Sequence, residues 1–390
     1  MQKPAYLNIA IYHNLPSGGA KRALFEFCRL LHQRGHQLDL YAPATAAEHF
    51  LPLAPFLRQQ EITPLDARTR SRQPFIKACH NVILLQELIA AQRIMAEKIN
   101  NGGYDVVFVH HCQITQAPSI LKYLRPPRVY MCQEPMRFVY EAICKSRKKY
   151  LSGQLLSRID ARNIKAADLI IANSYYSRES ILRCYGLDSY VNYLGVDTGR
   201  FKHLGKRKGN YILSVGRLDR TKGHRFLITA MNRIEAAARP ELMIIGNGNR
   251  EEEQLLRMLA IANEVRLRVM HQVSEKQLVD LYNRALLVAC APYLEPFGLV
   301  TLEAMACGTP VVAVREGGLR ETCINGSTGL LTHRDADEFG TALKKMLDDG
   351  ELRQRMGNNG IRVAHGWSWE KATDSLVRLL RKATVSELGP

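Results

Sequence analysis

The stretch "APYLEPFGLVTLEAMACGTPVV", residues 291–312, runs from an apolar segment into Pro296 and Gly298, restarts with apolar residues at helical spacing, and stops at Gly308 and Pro310 before more apolar residues. Proline and glycine punctuate a chain because one removes a backbone donor and the other permits turns. The pattern therefore predicts a buried strand, a break, a helix opened by glycine and a second buried strand. Strands that are apolar on both faces belong to parallel sheets covered by helices. Glu295 and Glu303 stand eight positions apart, one on each side of the break.

The same rhythm extends in both directions. "YLNIAIY" (6–12), "QLDLYAP" (37–43), "DVVFVHH" (105–111), "RVYMCQE" (128–134) and "DLIIANS" (168–174) read as buried parallel strands separated by amphipathic stretches. After the polar, glycine-bearing "NYLGVDTGRFKHLGKRKGN", the pattern resumes with "YILSVGR" (211–217), "ELMIIGNG" (241–248), "VRLRVMHQV" (265–273), "ALLVACAPY" (285–293) and "PVVAVRE" (310–316). Repeated strand-helix alternation predicts an α/β chain of two Rossmann-like, doubly wound domains facing each other across a cleft. The expected division is 1–200, 201–365 and a final amphipathic helix in 366–390. A chain of 390 residues is long enough for two cores.

Composition narrows the class. With 46% hydrophobic and 23% charged residues this is an ordinary globular chain. The first residues lack the charged lead and apolar core of a signal peptide, and no apolar run approaches a membrane span, so a cytoplasmic protein is expected. The nine cysteines are scattered, lack a CxxC pair and have mostly apolar neighbours, which reads as buried free thiols. Of the net charge of +17, residues 1–200 contribute 26 − 15 = +11 and the remainder 28 − 22 = +6, so the first half is the one facing an anionic partner. Its densest cluster holds Lys145, Arg147, Lys148 and Lys149 beside Leu151, Leu155, Leu156 and Ile159. A solvated helix face is one reading of this cluster. An anionic membrane surface, giving peripheral attachment to the inner face of the cytoplasmic membrane, or a phosphate-bearing acceptor is the other. No nucleic-acid partner is expected.

In open parallel sheets ligands bind beyond the carboxyl ends of the strands. Three loops at such ends share one chemistry. "HNLPSGGAKRAL" sets Ser17, Gly18 and Gly19 before a helix carrying Lys21 and Arg22, where backbone amides suit a phosphate. "SVGRLDRTKGH" sets Arg217 directly after a strand and Lys222 five residues on, a guanidinium and an ammonium suited to a diphosphate. In the opening stretch, the amides of Gly298, Leu299 and Val300 start a helix whose dipole favours an anion. Glu303 lies on the same face, roughly 6 Å further along. Carboxylates accept hydrogen bonds from hydroxyls and repel phosphate, so the arrangement suits a ligand with hydroxyls on both sides of a phosphate. A nucleotide sugar is such a ligand.

The stretch "EPFGLVTLEAMACGTPVVAVREGGLRETCINGSTGLL" closely resembles the signature of the retaining glycosyltransferases of family 4, which have the GT-B fold. Further matching segments are "SGGAKR", "IIANSYYSRESI", "NYLGVD", "SVGRLDRTKG", "IIGNGN" and "WSWEKA", in order along nearly the whole chain. The resemblance implies that Glu295 meets donor sugar hydroxyls beside the amides of Phe297, Gly298 and Leu299, and that Glu303 takes the ribose. It further implies that Arg217 and Lys222 bind the diphosphate, that Gly18 and Gly19 bind phosphate, that Gly246 and Met270 belong to the donor-binding set, and that the terminal helix crosses back to the first domain. Where some relatives carry a histidine near the transferred sugar, this chain offers His110 and His111 in "DVVFVHH", Gln133 in "YMCQEP", or His13. The base, UDP or GDP, is open, because Met270 and His271 stand where a glycine is common.

The expectation is a metal-independent retaining transferase acting on a glycan or lipid-linked acceptor, with the nucleotide sugar as co-substrate and no cofactor. Arg217, Lys222 and helix N-termini can stabilise the leaving diphosphate. The literal Asp-x-Asp at Asp335 and Asp337 reads as a capped helix start. Two rivals are a nucleotide-sugar epimerase, for which His110 and Glu134 would carry proton transfer, and a non-catalytic basic binding protein.

Overall fold

The computed structural model describes residues 6–65, 74–140 and 150–385; the cluster Lys145, Arg147, Lys148 and Lys149 lies outside them. The chain forms two compact units, Met1–Tyr193 with Trp369–Pro390, and Leu194–Ser368.

The first unit is built on β1 (Asn8–Asn14), α1 (Gly19–Gln33), β2 (Gln37–Pro43), β3 (Gln59–Thr63), α2 (Pro74–Asn100), β4 (Val106–Cys112), β5 (Arg128–Met131), α3 (Arg137–Tyr140), α4 (Tyr150–Ile164), β6 (Leu169–Ala172), α5 (Tyr175–Tyr185) and β7 (Tyr190–Val191). Its sheet runs β3-β2-β1-β4-β5-β6-β7 and every pairing is parallel. The second unit follows with β8 (Tyr211–Val215), α6 (His224–Met231), β9 (Glu241–Ile245), α7 (Arg250–Ala262), β10 (Leu267–Met270), α8 (Glu275–Arg284), β11 (Leu287–Cys290), α9 (Leu299–Ala306), β12 (Val311–Val314), α10 (Leu319–Thr322), β13 (Gly329–Thr332), α11 (Ala336–Asp348) and α12 (Gly350–Ala364). Its sheet runs β10-β9-β8-β11-β12-β13, again all parallel. In both sheets the order reverses beside the first strand, which creates the switch-point crevice where Rossmann-like sheets bind ligands.

The expected strands are present, and three elements were missed. β3 reads "QQEIT", too polar to stand out, and survives as an edge strand; β7 has two residues and β13 four. Several expected strands also ended too late: β5, β8 and β9 stop before Gln133, Arg217 and Gly246. Those overhanging residues are the loops at the carboxyl ends.

The expected linker requires a correction. The second unit begins at Leu194, not 201, because the segment packs into it. Val196 and Phe201 are buried, the Val196 amide donates to the Trp367 carbonyl at 2.8 Å, and the Phe201 ring meets Tyr282 edge-on at 6.1 Å. The other division falls at 368/369. The helix α13 (Trp369–Val385) beyond it belongs to the first unit, where it packs on α1 and β4. Trp369 meets Phe27 edge-on at 5.5 Å, and Arg34 binds Asp374 at 2.9 Å and the Glu370 carbonyl at 3.0 Å.

Among the described residues seven cysteines are free thiols, six of them buried, and no helix is long and apolar enough to cross a membrane.

Candidate active site

In the second unit, β8 and β11 are neighbours at the point where the strand order reverses. Lys222 follows β8 while Glu295 follows β11, so topology brings this cation and the carboxylate together; Arg217, which also follows β8, does not line their pocket. Lys222 Nζ donates to Glu295 Oε2 at 2.8 Å, with both side chains about a quarter exposed or less. They line one pocket with Ser214, Cys290, Gly298 and Val300. Gly223, directly after Lys222, has φ 71°, and a Cβ there would lie 1.8 Å from the Ala291 carbonyl oxygen. Only glycine lets the two loops close this tightly. Tyr293 N–H also donates to the Thr221 carbonyl at 2.7 Å.

Past Glu295 the chain turns through Gly298, at φ 104°, into α9. The amides of Gly298, Leu299 and Val300 therefore sit at a helix start that no capping side chain occupies. Phe297 is buried against Trp367, with ring centroids 5.7 Å apart, so its ring is structural and only its backbone is available to a ligand. Glu303, one turn into the helix, is buried and accepts a hydrogen bond from Tyr282 Oη at 2.8 Å. Arg217 is exposed and paired with Asp219 at 3.0 Å, and Asp219 also caps the short turn Arg220–Lys222 by accepting from Thr221 N–H. Gly246 and Met270 adjoin at the ends of β9 and β10, the Gly246 amide donating to the Met270 carbonyl at 3.1 Å. His271 then reaches from Gly246 O to Glu253, 2.9 Å from each.

Asp335 accepts hydrogen bonds from the Asp337 and Glu338 amides at 3.0 and 2.9 Å, and Asp337 pairs with Arg233 at 2.7 Å. The Asp-x-Asp sequence is therefore the capped start of α11. Among the described residues no group of three His, Cys, Asp or Glu side chains could hold a metal.

In the first unit, Ser17, Gly18 and Gly19 are exposed beyond the carboxyl end of β1, with open space around Gly18 Cα. Lys21 behaves differently. It is fully buried and bonded to Glu48, which also takes a hydrogen bond from His13 Nε2 at 2.8 Å. His13 Nδ1 accepts from the Leu15 amide at 3.2 Å, so the proton resides on Nε2. Burial, only partly offset by Glu48, lowers the His13 pKa. Although burial pulls the other way, the bonds from His13 and Lys21 hold the Glu48 carboxyl down to about 2. Lys21 therefore ties loops together and does not extend the phosphate site.

His110, a candidate beside the transferred sugar, lies in β4. Its side chain is fully buried, 4.6 Å from the Phe108 ring, and neither ring nitrogen has a hydrogen-bond partner among the described residues. Burial, followed by the neighbouring His13, pushes its pKa well below the usual histidine value. It presents no nitrogen to solvent, because even positions of a parallel strand face the covering helices as fully as odd ones do. Gln133 fits better. It is buried just past β5, its carbonyl accepts from Ser177 Oγ at 2.7 Å, and its side-chain nitrogen is buried without a partner among the described residues.

The sequence reading also missed Tyr282, Asp219, Glu316 and Arg334. Asp219 and Glu316 stand inside the quoted stretches and Tyr282 and Arg334 outside them, but the contacts of all four are created by folding.

Comparisons with known proteins agree with this geometry. Residues 17–200 match the family profile described as Glycosyltransferase Family 4, and residues 196–363 match the one described as Glycosyl transferases group 1. A D-inositol 3-phosphate glycosyltransferase of Thermobifida fusca is 28% identical over 94% of this chain and 89% of its own length, and one from Kribbella flavida is 28% identical over 94% and 91%. Among solved structures, sucrose-phosphate synthase of Thermosynechococcus elongatus superposes with a TM-score of 0.78 at 21% identity, covering 97% of this chain and 100% of that one. Anabaena HepE, in complex with UDP and glucose, gives 0.74 at 18%, covering 96% and 100%. Two Rossmann-like parallel-sheet units, matched in succession by both halves of one enzyme family, have a single reading: the chain is a GT-B glycosyltransferase and belongs to glycosyltransferase family 4.

Proposed function

We propose that this enzyme transfers a hexose-type sugar, with retention, from a UDP- or GDP-linked donor to a glycan or lipid-linked acceptor, without a metal. The observation that carries the proposal is the 2.8 Å contact between Lys222 and Glu295 in a pocket beside the start of α9. A cation and a carboxylate this close suit the junction of a sugar and its diphosphate. Glu295 accepts hydrogen bonds from sugar hydroxyls, while Lys222, which has three donors, keeps Glu295 and takes a phosphate oxygen. The α9 amides and the exposed Arg217 guanidinium receive the rest of the diphosphate charge, and Glu303, held by Tyr282, takes the ribose hydroxyls. Gly246 and Met270 border the base.

In the reaction the bond from the anomeric carbon to the diphosphate oxygen breaks and its electron pair stays with the diphosphate. Arg217, Lys222 and the helix start stabilise that charge as it grows, the role a metal plays elsewhere. The acceptor hydroxyl attacks from the face the diphosphate leaves, its proton passing to the departing phosphate oxygen, so the configuration is retained. On this reading Gln133 contacts the transferred sugar, and Gly18 and Gly19 bind phosphate on the first unit. The +11 charge of residues 1–200 favours an anionic acceptor, in keeping with relatives named for inositol 3-phosphate. The same charge supports peripheral attachment to an anionic membrane through Lys145, Arg147, Lys148 and Lys149. Neutralising them should abolish low-salt pelleting with anionic liposomes, and absence of pelleting in the unaltered protein would discard the attachment. The epimerase alternative would need His110 and Glu134 for proton transfer, and acceptor-independent conversion of the donor to another sugar would favour it.

A thermal-shift panel of UDP and GDP sugars tests the donor assignment. One nucleotide series should raise the melting temperature, and Arg217→Ala and Glu303→Ala should remove that stabilisation. A panel in which no nucleotide sugar stabilises the unaltered protein would defeat the transferase reading. Product configuration by NMR, with and without a chelator, tests retention and metal independence.

A further inference from the structure

We propose that Arg334 and Glu316 are positioning residues for Glu295, acting on the turn that delivers it. The inference rests on the role given to Glu295 above. Arg334 lies just past β13 and Glu316 just past β12, so the guanidinium reaches across the carboxyl ends of β13, β12 and β11 to the turn that follows β11. Its Nη1 donates to the Ala291 carbonyl at 2.9 Å and its Nη2 to the Pro292 carbonyl at 2.8 Å. Its Nε and Nη2 take both oxygens of Glu316 at 2.7 Å. The guanidinium also lies 3.7 Å from the centre of the Tyr293 ring. One planar cation thus grips three successive residues, 291 to 293, while its own charge is met by a bidentate carboxylate.

This grip falls where the backbone needs it. Leu294, the residue before Glu295, has φ 47°, a conformation costly for a leucine that persists only when its surroundings impose it. Beyond it, Gly318 N–H donates to the Glu295 carbonyl at 2.7 Å. The Ala291 carbonyl held by Arg334 is also the atom against which Gly223 packs. The same contact therefore sets the distance between the Glu295 turn and the Lys222 turn. Arg334 does not itself line the pocket that holds Lys222 and Glu295; it holds the carbonyls of Ala291 and Pro292, which do. Its influence passes through backbone shape, and lysine cannot reproduce it, because a point charge cannot hold two carbonyls and a carboxylate in one plane.

The test measures the full chain as Arg334→Lys, Glu316→Gln, Glu295→Gln and the double variant Arg334→Lys/Glu295→Gln. Readouts are melting temperature, kcat and KM for the nucleotide sugar, and Kd for the free nucleoside diphosphate, UDP or GDP. Arg334→Lys should lower kcat on the order of a hundredfold, the scale expected for a misplaced reacting group. Its Kd for the sugar-free diphosphate should move less than about threefold, and once Glu295→Gln is present it should cost little more, since coupled residues are non-additive. Glu316→Gln should shift kcat in the same direction by less. The proposal is overturned by unchanged kcat in Arg334→Lys, by parallel loss of diphosphate affinity and kcat, or by losses that simply multiply in the double variant. If the unaltered protein neither binds nor uses a nucleotide sugar, the donor reading itself fails, an outcome distinct from a working enzyme indifferent to Arg334.

Discussion

Each unit places a lysine in the loop or helix after its first strand and bonds it to a glutamate, yet the two pairs serve opposite ends. Lys21 and Glu48 meet with the lysine fully buried, His13 completes the carboxylate's bonding, and the cluster joins the loop after β2 to the start of α1. Lys222 and Glu295 meet in a pocket, a quarter and a fifth exposed, with donors to spare. A pair whose lysine is wholly buried holds structure, because separating it strands a charge in a low-dielectric interior. A half-open pair can trade water for a ligand. The difference lies in what surrounds the lysine, since the residue types are the same.

The most severe break is at the open pair. Lys222→Ala should lower kcat/KM about a thousandfold, roughly 4 kcal/mol of transition-state stabilisation, with little change in melting temperature. Steady-state kinetics beside a thermal melt checks both halves, and a variant that unfolds instead would put Lys222 in the same class as Lys21. The buried pair should respond the other way. Glu48→Gln should cost about 3 kcal/mol of stability in denaturant unfolding while leaving nucleotide affinity alone. Its pH signature follows from the carboxyl being held near 2, below its ordinary value of 4.5. The stabilisation it provides is complete above about 4.5 and is lost as pH falls toward 2, so Glu48→Gln should flatten the acid limb of stability between those values. The smallest effect is at Glu303. Tyr282→Phe removes one hydrogen bond to that carboxylate, which should weaken nucleotide binding by about 1 kcal/mol, some fivefold in Kd by calorimetry. An unchanged Kd would mean that Glu303 needs no help in holding its orientation.

Much of the site was legible because parallel sheets present their loops in a regular way. Arg217, Lys222, Glu295 and the Gly298 turn each follow a recognisable apolar strand, and strand periodicity suffices to put them at carboxyl ends. The elements that were missed are those whose patterns are weak. β3 is polar, β7 is two residues long, and the segment from Leu194 to Phe201 looks like a linker until Trp367 and Tyr282 pack against it. The burial of His110 was not legible for a related reason: in a strand covered on both faces, sequence does not say how deeply each histidine lies.

From sequence alone came two Rossmann-like units, the order of their strands' loops, and the residue types that a nucleotide sugar would need, because short-range periodicity and glycine placement act locally. Only the tertiary structure decided which lysine is buried and which is available, that Tyr282 supports Glu303, and that Arg334 and Glu316 brace the turn before Glu295. Those outcomes depend on side chains from helices, strands and loops far apart in the chain converging in space, where burial and hydrogen-bond partners are set by neighbours in space and not by neighbours along the chain.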